Sequence, residues 1–384
     1  MNNYIYLDHA ATTPVRPEVI EAMTEAMQLH YGNASSIHQM GRTSKGLLEE
    51  ARSVFAASIN ASPNEIVITS GGTESDNMAV VKTAEKYGFK GKHIVTTNVE
   101  HPAVRRPLNF LKNQGFEVTE LAVDRNGLIS LEQVKEAVRE DTILVSVIYG
   151  NNEIGTLMPI TEIGQYLDGL DHKVAFHTDA VQAYGTEDID VKEQKIDLLS
   201  VSSHKINGPK GIGFLFINEE LPITGLVLGG EQENKRRAGT ENIPGVIGFQ
   251  RAVEIRQAEK KRIREEYQAL KSRCLAELDA SGIDYEVNGS VDQSLPHILS
   301  LHIKGIPADK LLIHLDLARI AVSIGSACSA GNVDPSPVLE ALYGSNHPAI
   351  SETIRLSFGY GVTEDDCRTV VAKIKKAVDF LAET

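Results

Sequence analysis

A lysine that directly follows a short apolar run can do carbonyl chemistry. Here Asp197-Leu198-Leu199-Ser200-Val201 reads as a strand, and Ser202-Ser203-His204-Lys205 follows it, with Asn207-Gly208-Pro209-Lys210-Gly211 beyond. A lysine amine forms Schiff bases with aldehydes, and the carboxyl end of a strand is where open α/β sheets bind ligands. A solvated lysine in a glycine-rich loop is the plain alternative. The choice rests on what else the chain brings to the same place.

Polar residues recur just past other strand-like runs. His101 follows the run 93–97, Asn152 follows 143–149, and Asp179 and Gln182 follow 174–178. Ser202, His204 and Lys205 follow 197–201. Parallel strands would deliver all of them to one rim. Any one alone reads as a loop hydrogen-bonder; together they read as a site. Ser70-Gly71-Gly72-Thr73-Glu74 lies between the run 65–69 and a helix. Glycines there let backbone approach an anion at a helix N-terminus, although Thr73 also fits a simple cap. The pattern is neither a Walker A loop nor GxGxxG.

These residues need a frame. Strand-like runs at 65–69, 93–97, 117–123, 143–149, 174–178, 197–201 and 213–217 mostly alternate with helical stretches. That is the pattern of an α/β fold: a largely parallel sheet with helices on both faces. A long charged helix over 252–278 reads as a connector, followed by α+β character, with strands near 298–303 and 353–358 and a last helix near 365–381. The expected division is a large domain, 15–255, and a smaller α+β domain from 1–14 and 256–384.

With 38 basic against 52 acidic residues, the net charge of −14 argues against a broad surface for nucleic acid or anionic membrane. The first residues lack a signal peptide's basic and apolar regions, and no apolar run approaches the roughly 20 residues of a membrane span, so a cytoplasmic protein is expected. Three widely spaced cysteines make neither a disulfide framework nor a CxxC site. Cys274 shares a helical stripe with Leu270 and Leu278, and Cys367 lies near Val370, Val371 and Ile374; both read as packing residues. Cys328 differs, because Ser323-Ile324-Gly325-Ser326-Ala327-Cys328-Ser329-Ala330-Gly331 surrounds it with small residues suited to carrying a thiol. A reactive thiol needs a basic partner or a lowered pKa, and His101 is a candidate for that partner.

The order and spacing of Asp179 and Lys205 resemble those of fold-type I pyridoxal-phosphate (PLP) enzymes, whose carboxylate pairs with the pyridine nitrogen and whose lysine holds the aldehyde. The resemblance narrows at Tyr6-Leu7-Asp8-His9-Ala10-Ala11-Thr12-Thr13-Pro14, Thr69-Ser70-Gly71-Gly72-Thr73-Glu74-Ser75-Asp76-Asn77 and Glu100-His101-Pro102-Ala103-Val104. It narrows further at Asn151-Asn152-Glu153-Ile154-Gly155, Arg236-Arg237-Ala238-Gly239-Thr240-Glu241-Asn242 and Ser326-Ala327-Cys328. Nearly end to end, the chain resembles the cysteine desulfurases of the NifS/IscS group.

That resemblance implies a fold-type I transferase with a mostly parallel seven-stranded sheet, PLP as cofactor and L-cysteine as substrate. It implies that Gly72, Thr73, Ser202 and His204 hold the phosphate, that His101 stacks on the ring, and that Asn152 contacts the phenolic oxygen with Gln182 beside it. Thr240 would reach the neighbouring subunit's phosphate, implying a homodimer. Arg355 would grip the substrate carboxylate, a task suited to a planar guanidinium, with a structural ion pair as the alternative. Cys328 would accept sulfur as a persulfide and pass it to an acceptor protein: an iron–sulfur scaffold, a tRNA-thiolating enzyme or a thiamine-pathway carrier. The rivals are a selenocysteine lyase or aminotransferase on the same scaffold, with Cys328 incidental, and a binding protein without catalysis. Glu231 stands where a third glycine is expected, and Gly72 and Ser203 stand where alanine and glycine are common.

Overall fold

The computed structural model describes residues 4–325 and 335–383, so Cys328 lies outside the described residues. Twelve strands are found among the described residues. They are β1 Ile5–Tyr6, β2 Ile66–Thr69, β3 His93–Thr97, β4 Glu117–Leu121, β5 Thr142–Ser146, β6 Ala175–Asp179, β7 Leu198–Ser202, β8 Gly213–Ile217, β9 Tyr285–Val287, β10 Ile298–Ile303, β11 Ile320–Ala321 and β12 Thr353–Ser357.

Seven of them form one sheet in the order β2-β8-β7-β6-β5-β3-β4. From β7 to β4 all neighbours are parallel, and β8 runs antiparallel to both β2 and β7. Every residue of β2, β3 and β5 to β8 is buried, as a sheet covered on both faces requires. The edge strand β4 is only partly buried and carries Glu117 and Glu120, charges that discourage further strand pairing. All seven expected strands are present. The run 143–149 gives a strand ending at Ser146, yet Val147 N and Tyr149 N still donate to His177 and Asp179 carbonyls at 3.1 and 2.9 Å, carrying the chain along β6 to the rim.

A second apolar cluster, separate from the sheet's, packs Leu7, Leu270, Leu301, Leu311, Ile354 and Val370 around the antiparallel sheet β12-β10-β9 and the parallel pair β1-β11. Cys274 and Cys367 are both buried in it, the packing role expected of them. The helix Ile243–Ser281 joins the clusters, placing Phe249 and Val253 in one and Ile263 and Leu278 in the other. At 39 residues it spans about 58 Å. It starts nine residues earlier than its apolar stripe predicts. Asn242 Oδ1 caps Gly245 N at 3.1 Å, and Pro244 falls in the first turn, where a missing N–H costs nothing. Gly248 lets it press on the helix Pro17–Leu29, since a Cβ there would lie 2.5 Å from Met23 Cγ. Among the described residues no helix is long and apolar enough to cross a membrane.

Candidate active site

The rim where the parallel strands end opens into a cavity of about 280 Å³. Lys205, Asp179, Gln182, Ser202, His204, His101, Asn152, Arg355, Gly72 and Thr73 all line it. The parallel register of β6 and β7 pairs Asp179 with Ser200, which puts Asp179 and the turn Ser203–Lys205 at the same level. Ten of the twelve expected site residues therefore meet at one place.

The lysine turn is held by the N-terminal segment. Lys205 Nζ donates to the carbonyls of Ala10 at 2.5 Å and Ala11 at 2.8 Å. Thr13 Oγ1 donates to His204 O at 2.8 Å, and Thr12 Oγ1 lies 3.1 Å from His204 Nδ1. Burial, then the charges of Lys205 and Lys210, lower the His204 pKa to about 4, so its ring is neutral at physiological pH. The motif at residues 6–14 thus has a physical task, seating Lys205 from a part of the chain almost 200 residues away.

Opposite the amine lies an acidic pair. Asp179 is 5% exposed, and its Oδ1 accepts from Val181 N at 2.9 Å. Burial, and then the charge of Asp76, push its pKa up to about 7. Asp76 is 1% exposed and is itself pushed up to about 6, chiefly by burial. Its Oδ1 has no hydrogen-bond partner and stands 3.5 Å from His177 Nε2. His177 is held neutral, its pKa lowered to about 4 by burial, so it supplies no compensating charge. Asp76, His101 and Asp179 each offer a ligand atom within 4.8 Å of the other two, a set able to face a divalent cation or a protonated ring nitrogen. Sequence reasoning missed Asp76 as a site residue, because a carboxylate in a helix's second turn looks like an ordinary solvated position.

His101 caps the helix Pro102–Lys112, with Nδ1 accepting from Ala103 N at 3.1 Å, so a neutral ring carries its proton on Nε2. Its neighbour Glu100 is fully buried and pushed up to about 8 by burial. Glu100 Oε1 accepts from Thr97 Oγ1 and Ile148 N, both at 2.8 Å, tying the ends of β3 and β5 together.

The glycines before the helix Gly72–Tyr87 shape a cradle. Gly71 has φ +145°, a conformation that side chains rarely adopt. A Cβ on Gly72 would sit 2.6 Å from Val181 Cγ2, so Val181 fills the space an alanine methyl would take and accounts for glycine at this position. Beside them a recess lined by Thr73, Ser202, His204 and Lys210 joins a helix N-terminus to hydroxyls and a lysine, the chemistry that binds a phosphate. Ser203, the other departure, is fully buried behind this wall.

Arg355 closes the cavity from β12. Its Nη1 donates to Asn152 O at 2.7 Å and its Nη2 to Asp8 Oδ1 at 2.9 Å. The ion pair weighed as an alternative is present, yet Arg355 Nε is buried without a partner and the side chain still lines the cavity. Asn152 is thus bound through its backbone, and Gln182 through its amide, which donates to Ala10 O at 2.9 Å. Thr240 is exposed and is not brought to this cavity; it lies two residues before the Asn242 cap.

A model of the family described as aminotransferase class-V matches residues 5–370. A putative cysteine desulfurase IscS 1 of Bacillus subtilis is 49% identical over 374 residues, covering 97% of this chain and 98% of the relative. A cysteine desulfurase IscS of Dictyoglomus turgidum is 42% identical over 99% of this chain and 96% of its own length.

The chain belongs to the cysteine desulfurases of the class-V aminotransferase family.

Solved structures agree with that family. A NifS-like protein superposes with a TM-score of 0.92 at 33% identity, covering 98% of this chain and all of that one. A structure titled SspA in complex with cysteine has a TM-score of 0.80 at 35% identity, covering 92% and 98%. The expected fold-type I architecture, a mostly parallel sheet with helices, is that of this desulfurase.

Proposed function

We propose that this desulfurase uses PLP to convert L-cysteine and an enzyme thiol into L-alanine and an enzyme persulfide. The observation that carries the reading is one cavity with an amine, a buried carboxylate and an arginine on its walls: Lys205, Asp179 and Arg355. The residues fit the cofactor. Lys205 would hold its aldehyde, Asp179 its ring nitrogen, His101 its ring face, and Gly72, Thr73, Ser202 and His204 its phosphate, while Asn152 and Gln182 would sit at the phenolic side. Thr240 would reach the phosphate of a second copy's site, which makes the working form a homodimer. Bound there, PLP supplies an electron sink for the substrate's α-carbon.

The chain's own groups do the rest. Arg355 is placed to bind the substrate carboxylate; its unpartnered Nε offers a donor, and the carboxylate would compete with Asp8 for Nη2. Lys205 would move the substrate's α-proton, and the Ala10 and Ala11 carbonyls steady its ammonium form. His101 presents an N–H at Nε2. Cys328 as thiolate takes the substrate sulfur: its S–S bond forms as the substrate C–S bond breaks, and a proton replaces sulfur on carbon. The sulfur then passes to an acceptor protein, an iron–sulfur scaffold or a tRNA-thiolating enzyme.

Paired variants test this. Lys205→Ala should abolish the visible absorbance that PLP gives with a lysine amine, whereas Cys328→Ser should keep the colour and lose sulfur transfer. Full sulfide release by Cys328→Ser would reject the persulfide route. Keto-acid formation in place of alanine would make the chain an aminotransferase.

A further inference from the structure

Next to Lys205 is a second, small chamber of about 10 Å³, the space one water needs. Lys205 and Gln182 reach it from the large sheet's rim, His9 from the segment after β1, His297 from the segment before β10, and Arg256 and Tyr267 from the helix Ile243–Ser281. His9, Gln182, Arg256, Tyr267 and His297 are all at most 9% exposed. The chamber is polar, and its hydrogen bonding is incomplete. His9 Nδ1 and Nε2, His297 Nδ1 and Arg256 Nη1 have no partner among the described residues. Arg256 Nη2 donates to Asn207 Oδ1 at 2.9 Å and to Tyr267 Oη at 3.3 Å, both neutral, and no described carboxylate pairs with it. Several orphaned groups around one small space call for a shared partner.

The hydrogen bonds fix what that partner must offer. Gln182 Nε2 donates to Ala10 O at 2.9 Å, so its Oε1, 3.3 Å from His297 Nε2, is the acceptor. His297 therefore carries its proton on Nε2 and turns a bare lone pair, Nδ1, to its surroundings. Burial, then Arg256, hold its pKa down to about 3, so the ring stays neutral. Arg256 Nη1 needs an acceptor and His297 Nδ1 needs a donor. A halide could serve only the first; water serves both.

We propose that the chamber holds one ordered water, accepting from Arg256 Nη1 and donating to His297 Nδ1, and that His297 is a positioning residue for Lys205. It acts through a continuous chain: His297 to Gln182, Gln182 to the Ala10 carbonyl, and that carbonyl to Lys205 Nζ. The Ala10 oxygen is shared between the Gln182 amide and the lysine, so each donor weakens the other's bond. Losing His297 frees Gln182, leaves Ala10 O to the lysine, and favours the ammonium form.

Among the described residues, the other charged or titratable groups lining the two spaces around Lys205 are Asp179, Asp76, His101 and Arg355 in the cavity, His204 on its own turn, and His9, Arg256, Tyr184 and Tyr267 in the chamber. None is altered by the test. In the cofactor-free full chain, the pH midpoint for acylation of Lys205 is followed by mass spectrometry. His297→Phe should raise it by about half a unit, a roughly threefold fall in amine reactivity below the midpoint. His297→Gln, which keeps an N–H for Gln182, should restore it. Unchanged midpoints with an equal loss of thermal stability in both variants would reduce His297 to a structural role. A crystal structure of the full chain should show one water between Arg256 and His297; an empty chamber, or anomalous density there after bromide soaking, overturns the proposal. Because amine reactivity is read without cofactor, this result stands or falls apart from the reaction assigned above.

Discussion

Two buried arginines mark two regions that look alike by exposure and differ in chemistry. Arg52, 1% exposed, forks onto both oxygens of Glu233 at 2.7 Å and donates to Ile66 O at 2.9 Å. Glu233 also accepts from Ile68 N at 2.8 Å, so this carboxylate ties β2 to the loop 229–235. The loop needs such an anchor, because Glu233, Asn234 and Lys235 all have positive φ, between 49° and 67°. Arg256, 4% exposed, has no carboxylate partner among the described residues and one orphaned nitrogen beside the site lysine. Equal burial therefore hides a difference: one cation is compensated and holds backbone in place, while the other leaves polar capacity unspent next to the chemistry. Glu231, where a third glycine was expected, is exposed and pairs with Lys235, so the departure falls outside the anchor.

Variants can break or sharpen that contrast. The largest effect should come from Lys205→Ala, with activity falling about 10³-fold or more and the melting temperature moving little. Glu233→Ala comes next: it removes the forked partner of Arg52, leaving only Glu49 Oε2 at 3.1 Å, and should cost about 3 kcal/mol in denaturant unfolding, while the fraction still folded keeps its turnover. Arg256→Met breaks no ion pair and should cost clearly less; equal losses would erase the distinction. Arg355→Lys replaces a fork by a point charge and should lower kcat/KM about 10- to 100-fold, mostly through KM, in steady-state assays.

The smallest effect is a pH dependence. Asp76 and Asp179 both have raised pKa values in the fold, so the stability they contribute is complete below the ordinary carboxylate range and is lost as pH rises through about 6 to 7. Asp76→Asn removes one of these groups and the charge that raises the other. The cofactor-free variant's stability advantage over the parent should grow by about 1 kcal/mol between pH 5 and pH 8. A difference that does not grow with pH would show that the Asp76 carboxyl is not raised in the fold. His9, His177, His204 and His297, all lowered, act in the opposite sense, losing stability as pH falls below about 6.5. Both chains share them, so they cancel in the comparison.

Residues at strand ends were legible in the sequence because a strand's period and polarity are local signals. Lys205, Asp179, His101 and Asn152 could be placed on one rim before any coordinates. Pairings across long separations were not legible. Arg52 and Glu233 lie 181 residues apart, and nothing in either helix or loop pattern ties them together. His9 and His297 sit in segments that read as motif and strand, and only the packing of the connector helix brings both against Arg256. Asp76 was hidden for a different reason: it stands in the second turn of the helix Gly72–Tyr87, where nothing local marks a carboxylate as buried, so its closeness to Asp179 had no sequence signature. The connector starts before its apolar stripe because Pro244 and Gly245 form a capped first turn and Gly248 a close contact, features that apolar spacing does not report.

The central claim is that sulfur leaves cysteine and arrives on one thiol of this chain. Incubating the PLP-loaded protein with ³⁵S-labelled or ³⁴S-labelled L-cysteine and mapping the modified peptide by mass spectrometry tests it directly. The account predicts label on Cys328 as a persulfide, with one alanine formed per sulfur held. Label confined to Cys274 or Cys367, or sulfur released with no alanine, would contradict it.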